Sequence, residues 1–242
     1  MKIALIGYGK MGKEIEKLLS ERGHTVVAKV NSQNPLTPET IKDADVAIEF
    51  STPSSVLDNI KFLISHKVPV IVGTTGWNNH LEKVTNWVNK NDASLVYASN
   101  FSIGVNLFFK LNEQLSKLMN PYKEYQASIT EIHHLQKLDA PSGTAISLAN
   151  GLLENQDNLQ NWYCLQSENH NQIKEKSLPI TAIRKEEVKG THRIEYKSEI
   201  DTISIQHEAH NRKGFALGSI IAAEWIQNKK GIFTMKDVLQ LS

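Results

Sequence analysis

The chain has 242 residues, enough for one large domain or two modest ones, and its 40% hydrophobic content is ordinary for a globular protein. Lysine and arginine (27) nearly balance aspartate and glutamate (26), so charge gives no reason to expect binding to nucleic acid or to a membrane surface. A single cysteine, Cys164, excludes an intramolecular disulfide, and no apolar run has the length of a membrane span or the form of a signal peptide, so we expect a cytoplasmic protein.

The first hundred residues alternate short β-branched runs with longer amphipathic stretches, which is typical of parallel strands joined by crossover helices. This pattern predicts an α/β domain with a Rossmann-like, doubly wound parallel sheet. Thr52 before Pro53 favours a helix start at that point. The predicted strands are 3–6, 25–30, 45–50, 69–72 and 94–98, and the predicted helices are 11–21, 53–65 and 77–89.

After residue 106 the pattern changes to that of a second, α+β domain with a mixed or antiparallel sheet. Residues 154–177 are rich in Asn, Gln and Glu without clear periodicity, and we expect a surface loop there. Apolar residues and histidines then alternate with polar neighbours, which predicts two half-buried, antiparallel strands around His192 to Tyr196 and Ile203 to His207. The remaining predicted elements are a helix at 107–118, a strand at 126–132 and helices at 142–153, 215–225 and 234–241.

A glycine-rich turn directly follows the first predicted strand and opens the first helix. It matches the G-x-G-x-x-G fingerprint of dinucleotide-binding proteins in the context that the fingerprint requires, although a tight turn without a nucleotide is the alternative. Its residues are Gly7, Tyr8, Gly9, Lys10, Met11 and Gly12.

The acidic residue expected after the second strand is missing, because Asn31 stands there. Asn31 could hydrogen-bond a ribose hydroxyl, whereas a 2′-phosphate would need Lys10, Lys29 or another residue. Both NADH and NADPH therefore stay open as the cofactor.

Two further polar turns close the fourth and fifth predicted strands. Ligands of open α/β sheets bind outside the carboxyl ends of the strands, so we expect these turns to flank the nicotinamide half of a cofactor. The alternative is two turns stabilised only by glycine or asparagine. The turns consist of Gly73, Thr74, Thr75 and Gly76, and of Ala98, Ser99, Asn100 and Phe101.

The stretch from Glu131 to Ala145 brings two imidazoles, one ammonium and a Ser-Gly-Thr helix start together. An anion can bind to N–H groups at a helix start, while histidine and lysine supply charge and protons, so this stretch predicts a carboxylate substrate and acid catalysis. Asp139 and Pro141 are expected to cap the next turn and to stiffen the loop. The candidate residues are His133, His134, Lys137, Ser142, Gly143 and Thr144.

Two other interpretations of the paired histidines are weaker. They could be polar rim residues bonded to backbone, or they could bind a metal together with Glu131 and with His207 or His210. First-row metals favour a complete ligand set, and no complementary spacing is evident, so we expect no metal.

This stretch, E-x-H-H-x-x-K-x-D-A-P-S-G-T-A, resembles the signature of the dihydrodipicolinate reductase (4-hydroxy-tetrahydrodipicolinate reductase) family, with support from 73–76, 98–106 and Asn211-Arg212. The resemblance spans nearly the whole chain. It implies reduction of 4-hydroxy-tetrahydrodipicolinate, via dihydrodipicolinate, to tetrahydrodipicolinate in the diaminopimelate route to lysine. The hydride would come from NADH or NADPH, and the substrate partner would be a small dicarboxylic acid.

The resemblance also implies an arrangement of domains. Residues 1–102 and 213–242 would bind the dinucleotide, and 103–212 would bind substrate and assemble a homotetramer. Arg212 would lie at a hinge between them, with a surface salt bridge as the alternative. Two departures, a glycine turn one residue shorter than in many members and Asn31 in place of an acid, leave the choice between NADH and NADPH open.

Individual roles follow from the same resemblance. His133 takes the position of the acid/base histidine and Lys137 that of the proton donor. His134, Gly143 and Thr144 match substrate-binding positions, with Ser142 as a helper. The cofactor-binding segments would be 7–12, 73–75 and 98–101.

Two rival classes remain. Another NAD(P)-dependent dehydrogenase of an amino or hydroxy acid would share the glycine turn but not the His-His-x-x-Lys segment. A dinucleotide-binding sensor would need a DNA-binding element, and neither such an element nor a basic patch is visible in the sequence.

Overall fold

Two units make up the chain. In this computed structural model, which describes residues 1–165, 174–211 and 213–241, unit 1 consists of Met1–Ile103 with Lys213–Ser242 and unit 2 of Gly104–Arg212. The division of roles that the resemblance implies for the two domains stays a prediction. Arg212, the predicted hinge residue, lies outside the described residues.

Unit 1 is built on a six-stranded parallel sheet. Its strands are β1 (Lys2–Ile6), β2 (Thr25–Val30), β3 (Val46–Glu49), β4 (Val70–Val72), β5 (Ser94–Tyr97) and β11 (Gly231–Phe233). They lie in the order β11-β5-β4-β3-β1-β2. The helices are α1 (Lys10–Glu21), α2 (Pro38–Ile41), α3 (Val56–Ser65), α4 (Leu81–Lys90), α7 (Lys213–Trp225) and α8 (Met235–Val238), with a 3-10 helix at Asn78–His80.

Helices cover both faces of this sheet, so the central strands are buried on each side. Every residue of β3 and β4 is buried, which explains the hydrophobic runs 46–48 and 70–72, and the buried strand β3 ends on a carboxylic acid, Glu49. One face packs against Ile60 of α3 and Val84 of α4. The other packs against Ile15 of α1 and Ile220 of α7. The predicted Rossmann-like, doubly wound parallel sheet is therefore confirmed.

Unit 2 contains a five-stranded mixed sheet with the order β10-β9-β6-β8-β7. The pairs β6–β8 and β7–β8 are parallel, whereas β6–β9 and β9–β10 are antiparallel. Its elements are α5 (Ile103–Met119), β6 (Gln126–His133), α6 (Gly143–Leu153), β7 (Asn161–Leu165), β8 (Ser177–Arg184), β9 (Thr191–Lys197) and β10 (Thr202–Glu208).

Helices α5 and α6 pack together through both apolar and polar contacts. Phe108 of α5 and Leu148 of α6 belong to one buried cluster with Ile129 of the sheet. Two buried side chains of α5 donate to carbonyls of α6: Asn112 Nδ2 to Leu148 O at 2.9 Å and Ser116 Oγ to Leu152 O at 3.0 Å. These bonds fix the direction of α6, whose first residues belong to the candidate site.

Several sequence-based predictions need correction. The predicted loop 154–177 is wrong for Asn161–Leu165, which form β7, and residues 166–173 of that loop lie outside the described residues. β7 is an edge strand whose residues are mostly half-buried, so it lacks the alternation of buried and exposed positions that predicts a strand. The helix expected from Pro53 begins at Val56, with Ser55 as its N-cap.

The antiparallel strands predicted around His192 and His207 are confirmed as β9 and β10. None of the described helices combines the length and the apolar character needed to cross a membrane.

Candidate active site

The glycine turn lies where the strand order of unit 1 reverses. β1 is flanked by β2 on one side and β3 on the other, so the carboxyl ends of β1 and β3 form the switch point at which doubly wound sheets bind ligands. Gly7 follows β1 with φ of +90°, and a Cβ there would lie 2.2 Å from the carbonyl oxygen of Phe50, just after β3. Only glycine fits this position.

The start of helix α1 suits an anionic group. Gly9 is its N-cap and has no side-chain cap, and a Cβ on Gly9 would meet no atom within 4 Å. The first turn contains no acidic residue. The N–H groups of this turn can therefore receive a pyrophosphate, because the helix dipole and the open backbone both favour negative charge there.

The other predicted cofactor segments also lie at carboxyl ends of strands, since 73–75 follow β4 and 98–101 follow β5. Thr74 and Asn100 are buried and shape their turns: Thr74 Oγ1 accepts from Ser51 N at 2.8 Å, and Asn100 Oδ1 accepts from Ser102 N at 2.9 Å. Phe101 belongs to the hydrophobic core. Thr75 and Ser99 are the exposed members of the two segments.

Asn31 and Lys29 are already engaged near the carboxyl end of β2. Asn31 Oδ1 accepts from the backbone N–H groups of Gln33 and Asn34 at 2.8 and 2.9 Å, so it would accept a ribose hydroxyl only if this local turn opened. Lys29 Nζ lies 2.6 Å from Glu16 Oε1. It also lies 5.0 Å from the ring of Tyr8, whose hydroxyl donates to Glu16. A 2′-phosphate would have to compete with Glu16 for this ammonium.

In unit 2, the histidine segment lies at the carboxyl end of β6, the central strand of the sheet. Glu131 is fully buried and His133 is 7% exposed, and both share the inward face with Ile129 because alternate residues of a strand point to one side. His134 follows the strand, and its Nδ1 is buried without a hydrogen-bond partner among the described residues. His133 Nδ1 likewise has no hydrogen-bond partner among the described residues, and it lies 3.5 Å from Glu131 Oε2.

Lys137 lies in the loop between β6 and α6. Its Nζ donates to both carboxylate oxygens of Asp139 at 2.8 Å. The expectation that Asp139 caps the following turn is wrong, because Ser142 is the N-cap of α6 and its Oγ accepts from Ala145 N at 3.2 Å. Asp139 instead holds the ammonium of Lys137.

The start of α6 is open on one side and anchored on the other. A Cβ added to Gly143 would meet no atom within 4 Å. Ser142 N donates to both oxygens of Glu131 at 3.1 Å, and Ser142 Oγ lies 3.2 Å from His192 Nε2. Ser142, the N-cap of α6, is thus held by the buried Glu131 and lies beside His192.

Burial and charge set the protonation states of this cluster. Burial alone would raise the pKa of Glu131, but contacts from His192 and Ser142 outweigh it and lower the pKa to about 2. Burial lowers the pKa of His133 to about 4, although the nearby carboxylate of Glu131 acts in the opposite direction. At neutral pH, Glu131 is ionised and His133 is neutral. His133 therefore carries no extra proton that it could donate to a substrate.

These protonation states predict how stability depends on pH. Between the ordinary pKa of 6.5 and the folded pKa of about 4, His133 binds more protons in the unfolded chain, so lowering the pH through this window favours unfolding. We expect the urea concentration at the unfolding midpoint of the parent to fall as the pH is lowered from 6.5 to 4. In His133→Asn this midpoint should depend less steeply on pH. Urea titrations at four pH values measure this. His80→Asn, at an exposed histidine, is the control, and parallel curves for parent and His133→Asn would refute the prediction.

The ligand atoms of Glu131, His133 and His192 lie within 4.8 Å of one another, the spacing of a metal site. Both oxygens of Glu131 nevertheless accept from Ser142 N, and Oε1 lies 3.5 Å from the guanidinium of Arg184. A metal would have to displace these contacts and approach an arginine. The geometry therefore favours a hydrogen-bonded cluster over a metal centre.

Sequence reasoning missed two residues of this cluster, Arg184 and His192. His192 was placed in a predicted strand, but its position opposite Glu131 depends on the pairing of β6 with β9. Arg184 ends strand β8, which was not predicted, and lies beside His133 in the β6–β8 pair. Strand register, which no local pattern encodes, brings both of them to the site.

Comparison with known proteins identifies the family of this chain. The family described as "Dihydrodipicolinate reductase, N-terminus" matches residues 1–101, and "Dihydrodipicolinate reductase, C-terminus" matches 104–239. A 4-hydroxy-tetrahydrodipicolinate reductase of Christiangramia forsetii is 46% identical over 99% of this chain and 98% of its own length. One of Pelagibacter ubique is 36% identical over 84% of this chain and 79% of its own length.

Among solved structures, the dipicolinate-bound dihydrodipicolinate reductase of Paenisporosarcina sp. TG-14 aligns with a TM-score of 0.77 at 23% identity, covering 97% of each chain. At this identity the likeness shows the fold. The two family matches and the curated relatives go further: the chain belongs to the dihydrodipicolinate reductase family, the NAD(P)H-dependent oxidoreductases that reduce 4-hydroxy-tetrahydrodipicolinate in lysine biosynthesis.

Proposed function

We propose that the segment from His133 to Thr144 carries the family's reaction in this chain, with Lys137 as the proton donor and the start of α6 as a carboxylate site. NADH or NADPH supplies the hydride when bound. The protein must therefore orient a cyclic dicarboxylate and deliver one proton. The observation that carries the proposal is that one loop presents both an ammonium and an open helix start, anchored by the buried Glu131.

The carboxylate site is proposed at Gly143 and Thr144. The open space beside Gly143 lets a carboxylate approach the first N–H groups of α6, where the helix dipole favours negative charge. Ser142 contributes indirectly, because its N–H is bonded to Glu131 and its hydroxyl caps the helix. It shapes the site that its neighbours form.

For the proton, we assign Nζ of Lys137 as the source. An ammonium can give up its proton as the ring gains electron density. The depressed pKa of His133, about 4, leaves its imidazole neutral, so it can relay a proton but does not hold one in reserve. In the structure Lys137 is paired with Asp139, and substrate carboxylate would replace Asp139 as its partner.

Unit 1 is proposed to bind the dinucleotide at the start of α1, between the ends of β1 and β3, with 73–75 and 98–101 nearby in the sheet. Unit 2 is proposed to bind substrate and to assemble a homotetramer. Strand β10, at the edge of its sheet, has mostly exposed residues and suits such contacts. We also propose the cytoplasm as the location, since the one cysteine needs no oxidising compartment.

His134→Ala tests the substrate site. We expect the KM for the cyclic dicarboxylate to rise about tenfold, with a smaller change in kcat, because the variant loses one charge-assisted hydrogen bond of roughly 1.5 to 3 kcal/mol. Initial rates over a range of substrate concentrations at saturating NADPH measure both constants. His80→Ala, at an exposed histidine of unit 1, is the matched control. An unchanged KM in His134→Ala would remove this residue from the substrate site.

A further inference from the structure

Arg184 holds the loop that carries Lys137. Its Nε donates to Lys137 O at 3.1 Å and its Nη2 donates to Asp139 O at 2.6 Å. Its Nη1 donates to Ile183 O at 3.0 Å and lies 3.5 Å from Glu131 Oε1. One guanidinium therefore joins two carbonyls of the loop to the sheet and to the buried carboxylate.

Glu131 holds the other end of the same loop. Its two oxygens accept from Ser142 N at 3.1 Å, where the loop enters α6. Glu131 is fully buried and the side chain of Arg184 is 19% exposed, so the pair is partly shielded from water. Charge-assisted hydrogen bonds in such surroundings are stronger than neutral ones.

From these contacts we propose that Arg184 and Glu131 form a buried clamp that sets the backbone from Lys137 to Ser142, so that Arg184 is a positioning residue for the reaction through Lys137. This inference rests on the proposed role of Lys137 as proton donor. The clamp fixes the Lys137 backbone, from which the flexible side chain reaches the substrate, and the Ser142 N–H, from which the carboxylate site begins. The planar fork of arginine is needed because it bonds two carbonyls at once, whereas a lysine ammonium is a single point charge.

Arg184→Met tests the clamp. We expect kcat to fall roughly tenfold to a hundredfold, because small displacements of a catalytic group can cost about that much. The substrate KM should rise several-fold, and the affinity for NADPH should not change. The kcat and KM of Arg184→Lys should lie between those of the parent and those of Arg184→Met. Lys185→Met, which removes an exposed cation from the next residue, is the matched control and should behave as the parent.

A double variant separates positioning from general damage to the fold. If Arg184 acts through Lys137, Arg184→Met should lower kcat little further when added to Lys137→Met, since coupled residues are not additive. If the fold-loss in kcat of the double variant equalled the product of the two single losses, the inference would be overturned. It would also be overturned by kcat and KM within twofold of the parent in a folded Arg184→Met. If Arg184→Met does not fold, Arg184→Gln replaces it under the same criteria.

Failure of the inference differs from failure of the proposed function. Near-normal turnover in Lys137→Met would show that Lys137 is not the proton donor. The inference that the clamp acts on the reaction through Lys137 would then fail as well. A collapse of turnover in Lys137→Met together with normal constants in Arg184→Met would keep Lys137 as donor and overturn the clamp alone. NADPH titrations by fluorescence and urea midpoints, measured on all variants, show whether any loss comes from the cofactor site or from unfolding.

Discussion

Turnover should collapse by about 10²- to 10⁴-fold when Lys137 is replaced by methionine, because that is the usual contribution of a positioned acid. The affinity for NADPH should stay at the parent value. Methionine keeps most of the apolar stem of lysine and removes only the ammonium. The side chain of Lys137 is 22% exposed and is bonded to Asp139, so the fold should tolerate the change.

Single-turnover and steady-state rates, followed by NADPH absorbance, separate the loss of proton delivery from weaker substrate binding. Asp139→Asn gives a second comparison. It removes the carboxylate that holds the ammonium of Lys137, so we expect the proton donor to survive and kcat to fall far less than in Lys137→Met. If Lys137→Met kept more than a tenth of the parent turnover, the proton would have to come from another group.

Elements governed by local pattern were predictable from the sequence. The turn at Gly7 needs a positive φ and a close approach of backbone, and both requirements appear as glycines at fixed spacing after a strand. The start of α6 was predicted at residue 142, one residue before it begins at Gly143, although the cap was assigned to Asp139 and is in fact Ser142. In both places the structure is decided by residues that are close to one another in the sequence.

Elements that depend on pairing between distant strands were not predictable in this way. Strand β8 contains Pro179, and proline normally argues against an inner strand because it cannot donate to a neighbour. β8 nevertheless lies between β6 and β7, and its last residue is Arg184. The clamp on Lys137 follows from the pairing of β6 with β8, and the cross-strand pair of Glu131 with His192 follows from the pairing of β6 with β9. Neither could be read from one segment alone.

The side chains near the proposed ribose site show a second limit. Asn31 was a reasonable hydrogen-bond partner for a ribose, but its oxygen closes a turn with Gln33 and Asn34. Local hydrogen bonds of this kind compete with ligand contacts, and sequence spacing does not show which one prevails. The ion pair of Lys29 with Glu16 would also compete with a ligand, and it could not be read from the sequence because it joins a strand to a helix.

Gly218→Ala is expected to have the largest effect on stability. Gly218 lies in the middle of α7, where alanine would ordinarily improve a helix by about 1 kcal/mol. A Cβ at this position would lie 1.7 Å from the carbonyl oxygen of Phe101 and 2.7 Å from its carbonyl carbon. These are backbone atoms, so no rotamer change relieves the overlap, and we expect a net loss of about 2 kcal/mol after the gain in helix propensity.

The same substitution should weaken cofactor binding in molecules that stay folded. Phe101 ends the turn after β5 that is proposed to lie near the nicotinamide, so moving its carbonyl away from α7 displaces that turn. Urea midpoints and NADPH titrations measure the two effects. Gly214→Ala is the matched control in the same helix, since its Cβ would lie 3.3 Å from Ser102 Oγ, a side-chain atom near the limit of ordinary contact. Equal midpoints for the two variants would mean that α7 can move away from Phe101 at little cost, and that its close approach does not hold the turn in place.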